Sequence, residues 1–422
     1  MLTQVSTILK ALDNNPSLHV SILIDALRGT REAPKECAAS LLTPLVENHP
    51  NRVDVRLYHT PNFRGLKKRI IPSRFNEGWG LQHIKLYGFD DEIMLSGANL
   101  SRDYFTNRQD RYHLFHSAEL THYYAQFHEK LRSISYKLHP SQERLERFRL
   151  EWPETNGCPE PYKSPNEYRI HATKLLSPLL RPAKTAHATS AATLVYPISQ
   201  LAPLASEQDG LSTETTGVSF VLDVLSQPSF SGGNWVFTAG YFNPSSGVKE
   251  GLIAGGKSTS GLIINASAEA NGFYGSPNPS GYLPDAYMIL AKRFLQDVRN
   301  AGVGQAITME QWRHVPRGQS LDGWTYHAKG IWITPPNERN PMLTLIGSSN
   351  FTRRSHRLDL ESTCILVTRD PKLRSALTDE INHLRKYTEE TSIEDLSSTL
   401  QQGGWRRSLA VRIWVAMVGE KL

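Results

Sequence analysis

Cysteine is scarce in this chain of 422 residues, and its placement excludes two classes of protein. Cys37, Cys158 and Cys364 are odd in number, far apart and without CxxC spacing. They give neither a disulfide framework nor a thiolate metal site, and they suit a reducing compartment. Long apolar runs are also missing: none approaches the ~20 residues that cross a bilayer as a helix. Met1 to Asn14 carries one Lys, no Arg and the acidic Asp13, so it does not have the make-up of a signal or transit peptide. The expectation is a protein acting where it is made, or one whose leader has been lost. Excess charge is small as well. A net +6 suits an anionic substrate or an anionic lipid surface and is too weak to argue for nucleic acid.

What is present is an ordinary globular composition, 39% hydrophobic and 21% charged, in a chain longer than one core normally serves. Two lobes are therefore expected. In the first, Leu2–Leu12 has a helical pattern, His19–Asp25 is rich in β-formers, Glu36–Asn48 is again helical, and Val53–His59 alternates with period two. Strands near 82–89 and 92–96 and a helix over Ala118–Ser133 follow. Pro153, Pro159, Pro161, Pro165, Pro178 and Pro182 then lead into the small-residue stretch Ala183–Thr193, which reads as a connection. The second lobe repeats the scheme: strands at Trp235–Ala239, Ser260–Asn265, 326–333 and 343–346, and helices at Ala286–Asn300 and Lys372–Glu389. Val218–Leu225 is ambiguous. The predicted divisions are 1–150, a connection 151–193, a second lobe 194–390 and an extension 391–422. The fold class is α/β, two pseudo-symmetric α/β/α sandwich lobes with the active site at their interface.

The duplication is carried by a motif. His83-Ile84-Lys85 is followed after four residues by Asp90, then by an apolar strand ending in Ser96-Gly97-Ala98-Asn99. His327-Ala328-Lys329 is followed by an apolar run and Gly347-Ser348-Ser349-Asn350. On an extended strand residues i and i+2 share a face, so each motif aims an imidazole and an ammonium at one point. One histidine can attack phosphorus while the other protonates the leaving oxygen and later deprotonates the incoming hydroxyl. Lys85 and Lys329 would hold the non-bridging oxygens, and Asn99, Asn350, Ser348 and Ser349 would supply neutral donors. Asp90 is expected to orient a histidine from behind. Its counterpart after Lys329 is Thr334, so the second motif lacks its acid. Asn99 to Asp110 and Asn350 to Glu361 are equally spaced, however, which suggests that these two acids reach across to the opposite histidines. The plain alternative is two surface histidines on strands, among 15 in the chain. Recurrence in matching contexts argues against it.

Two further stretches have both a functional and an ordinary reading. The loop from His59 to Glu77 holds Arg64, Lys67, Arg69 and Arg74, enough cations to bind the phosphate of a second substrate, or else merely a solvated basic loop. The tail from Trp405 to Val418 mixes Arg with Trp, Ile and Val. It fits a membrane-associating segment, and its alternation over Val411–Met417 fits a strand equally well.

The paired motifs resemble those of the phospholipase D superfamily. Leu81–Tyr87, Leu95–Ser101, Tyr104–Tyr112, Tyr326–Gly330, Leu343–Asn350 and Arg357–Glu361 resemble one branch, the eukaryotic phosphatidylglycerophosphate synthases. The resemblance implies phospholipase D-type lobes and transfer of a phosphatidyl group from CDP-diacylglycerol to sn-glycerol 3-phosphate, releasing CMP through a phosphohistidine. It implies a peripheral enzyme of the mitochondrial inner membrane making the precursor of phosphatidylglycerol and cardiolipin. No metal is required by that chemistry, though a divalent cation can accompany the pyrophosphate. The family lacks an Asp after the second His-x-Lys and carries an opening strand and helix ahead of the segment that begins here. Rival readings are a phosphatidylserine synthase, a phospholipase D-type nuclease or phosphodiesterase, and a catalytically silent scaffold. The second would need basic grooves with aromatic platforms.

Overall fold

A computed structural model describes residues 2–65, 76–181, 191–206, 211–277, 280–314 and 323–402, with Val411, Arg412, Val415 and Gly419. The first lobe opens with α1 (Leu2–Asn14), β1 (Val20–Asp25), the single turn α2 (Ala26–Gly29), α3 (Ala38–Asn48) and β2 (Val53–Tyr58). A hairpin of β3 (Leu86–Phe89) and β4 (Glu92–Ser96) follows, then α4 (Arg102–Thr106), β5 (Arg108–Gln109) and β6 (Tyr112–His116). The lobe closes with α5 (Ala118–Arg132), β7 (Tyr136–Pro140), β8 (Phe148–Glu151) and α6 (Pro165–Leu180).

The second lobe runs β9 (Thr193–Gln200), α7 (Thr213–Val224), β10 (Asn234–Ala239), α8 (Ser246–Gly255), β11 (Ser260–Ala266) and α9 (Leu283–Asn300). It continues through β12 (Ile307–Trp312), β13 (Thr325–Tyr326), β14 (Lys329–Thr334), β15 (Leu343–Gly347), α10 (Arg353–Arg357) and β16 (Glu361–Thr368). α11 (Pro371–Arg385), β17 (Thr388–Glu390) and α12 (Ile393–Gln402) complete it.

Eight strands form one sheet in the second lobe, in the order β17-β12-β11-β10-β14-β15-β16-β9. The first lobe has a four-stranded sheet, β1-β2-β7-β8, and a three-stranded one, β3-β4-β6. Strand directions match if β1, β2 and β7 are equated with β11, β12 and β17, and β3, β4 and β6 with β14, β15 and β16. The position of β10 then has no counterpart among the described residues, and the first lobe's sheet is divided there.

Local chemistry sets several boundaries. Ser117 caps α5 by accepting the Leu120 amide, and Asp370 caps α11 by accepting that of Leu373, with Pro371 as the first helical residue. Val218, Val221, Leu222 and Leu225 are all buried, an i, i+3, i+4, i+7 stripe, so the ambiguous stretch is helical (α7). The helix expected to reach Glu389 stops at Arg385, and the chain returns as β17 beside β12. α6, within the Pro-rich connection, packs Tyr168, Ala172 and Leu176 into the first lobe's core. In the tail Val411, Arg412 and Val415 are helical rather than extended. The valines pack with Ala286 and Ile289 of α9.

One of the main cores belongs to both lobes. Ile84, Leu95, Tyr124 and Phe127 from the first are buried with Ile346, Leu360 and Cys364 from the second. β5 and β13 add a parallel two-stranded pairing between the lobes. No helix among the described residues is long and apolar enough to cross a membrane.

Candidate active site

Both His-x-Lys segments arrive at the seam between the lobes by the same backbone contact. The His83 amide donates to the Leu360 carbonyl at 2.9 Å and the His327 amide to the Gln109 carbonyl at 2.8 Å. The residue after each acceptor is an acid, and that acid meets the ring just delivered. Glu361 Oε1 lies 2.9 Å from His83 Nδ1, and Asp110 Oδ2 lies 2.7 Å from His327 Nδ1. Each carboxylate therefore crosses to the histidine of the opposite lobe.

The histidines are not within the strands expected for them. His83 and Lys85 precede β3, and His327 stands between β13 and β14, with Lys329 as the first residue of β14. The side chains still converge, because each lysine folds back to place Nζ 2.5 Å from its own histidine's carbonyl. Asp90 does not orient a ring. It occupies the exposed hairpin tip between β3 and β4 at φ 51°, and the extended chain carries it ~20 Å from His83.

Charge at the seam is set by burial. It takes His83 well below its usual range, with Lys85 adding to the effect, and takes His327 down to about 3, helped by Lys329. It likewise lowers Lys329 to about 8, against the pull of Asp110, and Lys85 well below its ordinary value. The two acids diverge. Burial raises Asp110, but Lys329 and His327 outweigh it and hold the group below the usual carboxylate range. Burial pushes Glu361 well above that range, opposed by Lys85 and the Ser348 hydroxyl. Burial thus favours the neutral form of both rings. A ring that donates Nδ1–H to its acid keeps the Nε2 lone pair for chemistry.

The turns after β4 and β15 close around these groups. A side chain on Gly97 would meet Lys329 Nζ at 2.5 Å and Asp110 Oδ1 at 2.7 Å, so the strand end approaches the dyad as only glycine can. Ser348 Oγ donates to Glu361 Oε2 at 2.5 Å, and Ser349 Oγ accepts the Phe351 amide. Asn99 Nδ2 donates to the Tyr104 hydroxyl at 3.2 Å, and Asn350 Oδ1 is buried without a partner among the described residues. In the basic loop Arg64 is exposed, while Lys67, Arg69 and Arg74 lie outside the described residues.

Two tyrosines outside the expected catalytic and substrate-binding residues complete the site. The Tyr104 hydroxyl lies 3.3 Å from His327 Nε2, and the Tyr241 ring meets the His327 imidazole edge-on at 5.4 Å. Tyr241 belongs to the Gly-Tyr-Phe-Asn turn after β10, whose position at a strand end was the available signal. His83, Asp359 and Glu361 come nearest to a cation site, their donor atoms within 4.8 Å of one another. Each already has protein partners: Asp359 accepts from Arg354 and the Leu81 amide, and Glu361 from Ser348.

Two α/β lobes with one histidine dyad crossing in each direction define a phospholipase D-type fold. Phosphatidylserine synthase from Haemophilus influenzae shares it with a TM-score of 0.69 at 20% identity, over 98% of this chain and 83% of that one. No protein-family model matches the chain. Curated relatives do. The CDP-diacylglycerol–glycerol-3-phosphate 3-phosphatidyltransferase of Saccharomyces pastorianus is 44% identical over 99% of this chain and 80% of its own length. Its namesake in Schizosaccharomyces pombe is 40% identical over 91% and 81%. The human protein of that name, designated mitochondrial, is 33% identical over 98% and 73%. The chain belongs to the CDP-diacylglycerol–glycerol-3-phosphate 3-phosphatidyltransferase family.

Proposed function

We propose that this chain transfers the phosphatidyl group of CDP-diacylglycerol to sn-glycerol 3-phosphate, giving phosphatidylglycerophosphate and CMP. The observation that carries this is the crossed pairing of His83 with Glu361 and His327 with Asp110. His83 Nε2 attacks the phosphorus bearing the diacylglycerol, and the bond from that phosphorus to the oxygen bridging to CMP breaks. His327, whose burial favours the neutral ring, takes a proton from solvent at Nε2 as the anionic donor substrate binds, and gives it to the departing CMP oxygen. It then takes the proton of the acceptor's primary hydroxyl as that oxygen attacks and the P–N bond breaks. The ionised Asp110 favours His327 for this role, because an acid–base ring must pass through its charged form. Lys85 and Lys329 face the oxygens where charge grows, and Arg64, Lys67, Arg69 and Arg74 supply positive charge that attracts the anionic acceptor. The Ser348, Ser349, Asn99 and Asn350 turns frame the phosphate. These steps require no metal, though a divalent cation can accompany the pyrophosphate, and the enzyme works at the surface of the mitochondrial inner membrane, supplying cardiolipin synthesis.

The test is incubation with CDP-diacylglycerol labelled in its lipid phosphate, with and without glycerol 3-phosphate. Wild-type protein should release CMP, leave an acid-labile phosphoenzyme when the acceptor is withheld, and lose that label when it is added. His83→Ala should abolish the label. Serine serving as acceptor in place of glycerol 3-phosphate, or label persisting in His83→Ala, would overturn the reading.

A further inference from the structure

Glu77, at the end of the basic loop, gathers three arginines beside the first histidine. Its Oε2 accepts Arg28 Nη2 at 2.8 Å, its Oε1 accepts Arg31 Nη1 at 2.6 Å, and its main-chain carbonyl accepts Arg354 Nη2 at 2.9 Å. The assembly is tied directly to the segment that carries His83. Asp25, which caps α2, accepts the Arg28 amide with one oxygen and the Gln82 amide with the other, both at 2.8 Å. Arg354 Nε is held by Asp359 at 2.9 Å, and Asp359 accepts the Leu81 amide. Leu81 and Gln82 are the two residues before His83.

The fixing of Arg28 and Arg31 leaves part of each guanidinium unused. Arg28 is bound through Nε and Nη2, and Arg31 through Nε and Nη1. Arg28 Nη1 and Arg31 Nη2 have no acceptor among the described residues. The two side chains are 41% and 37% exposed, whereas Lys85 and Lys329 are buried within the dyads. One carboxylate between two partly exposed guanidiniums makes a fork pair preorganised for a dianion. Arginine suits this better than lysine, because its planar fork matches tetrahedral oxyanions. Burial also pushes Asp25 up to about 7, which reduces the negative charge at the base of the cluster.

We propose that Arg28 and Arg31, clamped by Glu77 and backed by Arg354, bind the phosphate monoester of the acceptor and thereby set the preference for glycerol 3-phosphate over unphosphorylated alcohols. This rests on the transfer reaction proposed above, in which the acceptor is the substrate carrying a terminal dianion. The acceptor's far end then sits on the fork pair while its primary hydroxyl points toward the dyads.

The measurement is the ratio of kcat/KM for glycerol 3-phosphate to that for glycerol, in wild-type protein and in Arg28→Ala, Arg31→Ala and the double variant. Each single change should lower the ratio about 10-fold and the double about 100-fold, while KM for CDP-diacylglycerol moves far less. Arg28→Lys should recover part of the loss, and Arg144→Ala, which removes an exposed arginine elsewhere in the first lobe, should leave the ratio unchanged. An unaltered ratio, or equal losses for both acceptors and the lipid donor, overturns the proposal. Calorimetric titration of glycerol 3-phosphate into wild-type and double-variant protein separates the two readings. Binding that the double variant abolishes, in a protein that does not turn over, rejects the reaction and keeps the site. Turnover with an unaltered ratio rejects the site and keeps the reaction.

Discussion

A carboxylate behind an imidazole fixes which ring nitrogen carries the proton and steadies the ring when it is charged. Asp110 does this for His327 at 2.7 Å, in a setting where Lys329 keeps the acid ionised. Asp110→Asn retains the shape and removes the charge, so CMP release should fall about 1,000-fold, as expected when a buried acid behind a catalytic ring is neutralised. Asp90→Asn, at an exposed hairpin tip, should stay within about twofold of wild type, since it touches neither ring. Comparable losses in the two variants would show that the in-line motif acid matters after all. Residue types and spacing made the two His-x-Lys pairs legible, and the equal intervals from Asn99 to Asp110 and Asn350 to Glu361 pointed to the crossing acids. The assignment of Asp90 failed because spacing along the chain says nothing about a hairpin that carries its tip away. Tyr104 and Arg28 carry no local signature, since the Tyr104–His327 and Arg28–Glu77 contacts join residues 223 and 49 positions apart.

At the scale of elements, Arg111 is the most constrained side chain joining the lobes. It lies between β5 and β6, is 2% exposed, and enters the second lobe to donate to the carbonyls of Lys329 and Leu345 at 3.0 and 2.7 Å. It also meets Thr344 and both oxygens of Glu380 on α11, and its guanidinium stacks on Trp332 at 3.9 Å. Removing it takes a donor from two buried carbonyls and the charged partner from Glu380, which keeps only His113 and Trp332 among the described residues. Arg111→Ala should therefore cost about 3–5 kcal/mol of stability, read as a lower midpoint of denaturant unfolding. A change below about 1 kcal/mol would mean that water replaces the side chain at little cost. β1 to β4, β10, β11, β14 and β15 were legible from β-rich runs and alternation, whereas β6 to β9, β12 and β16 were not read as strands. Two further departures have physical causes: α7 is short and apolar enough to suit either structure, and β17 begins only two residues after α11 ends.

For the molecule as a whole, the shared core decides how the lobes behave. Ile346, Leu360 and Cys364 of the second lobe complete a cluster begun by Ile84, Leu95 and Tyr124 of the first. Scanning calorimetry should give one unfolding transition, whose van't Hoff and calorimetric enthalpies agree, in place of two. Two resolved transitions would show that the lobes are independent. Lobe number and order were legible from the repeated motif, whereas the interleaving of the cores was not, because no periodicity reports which apolar face meets which.

The exchange of acids between halves has a kinetic corollary. A tilt of one half against the other stretches the 2.9 Å contact at His83 and the 2.7 Å contact at His327 together. In the proposed transfer, attack and proton delivery would then be mistuned in concert, so a disturbed seam should give an idle protein rather than one that releases CMP without an acceptor.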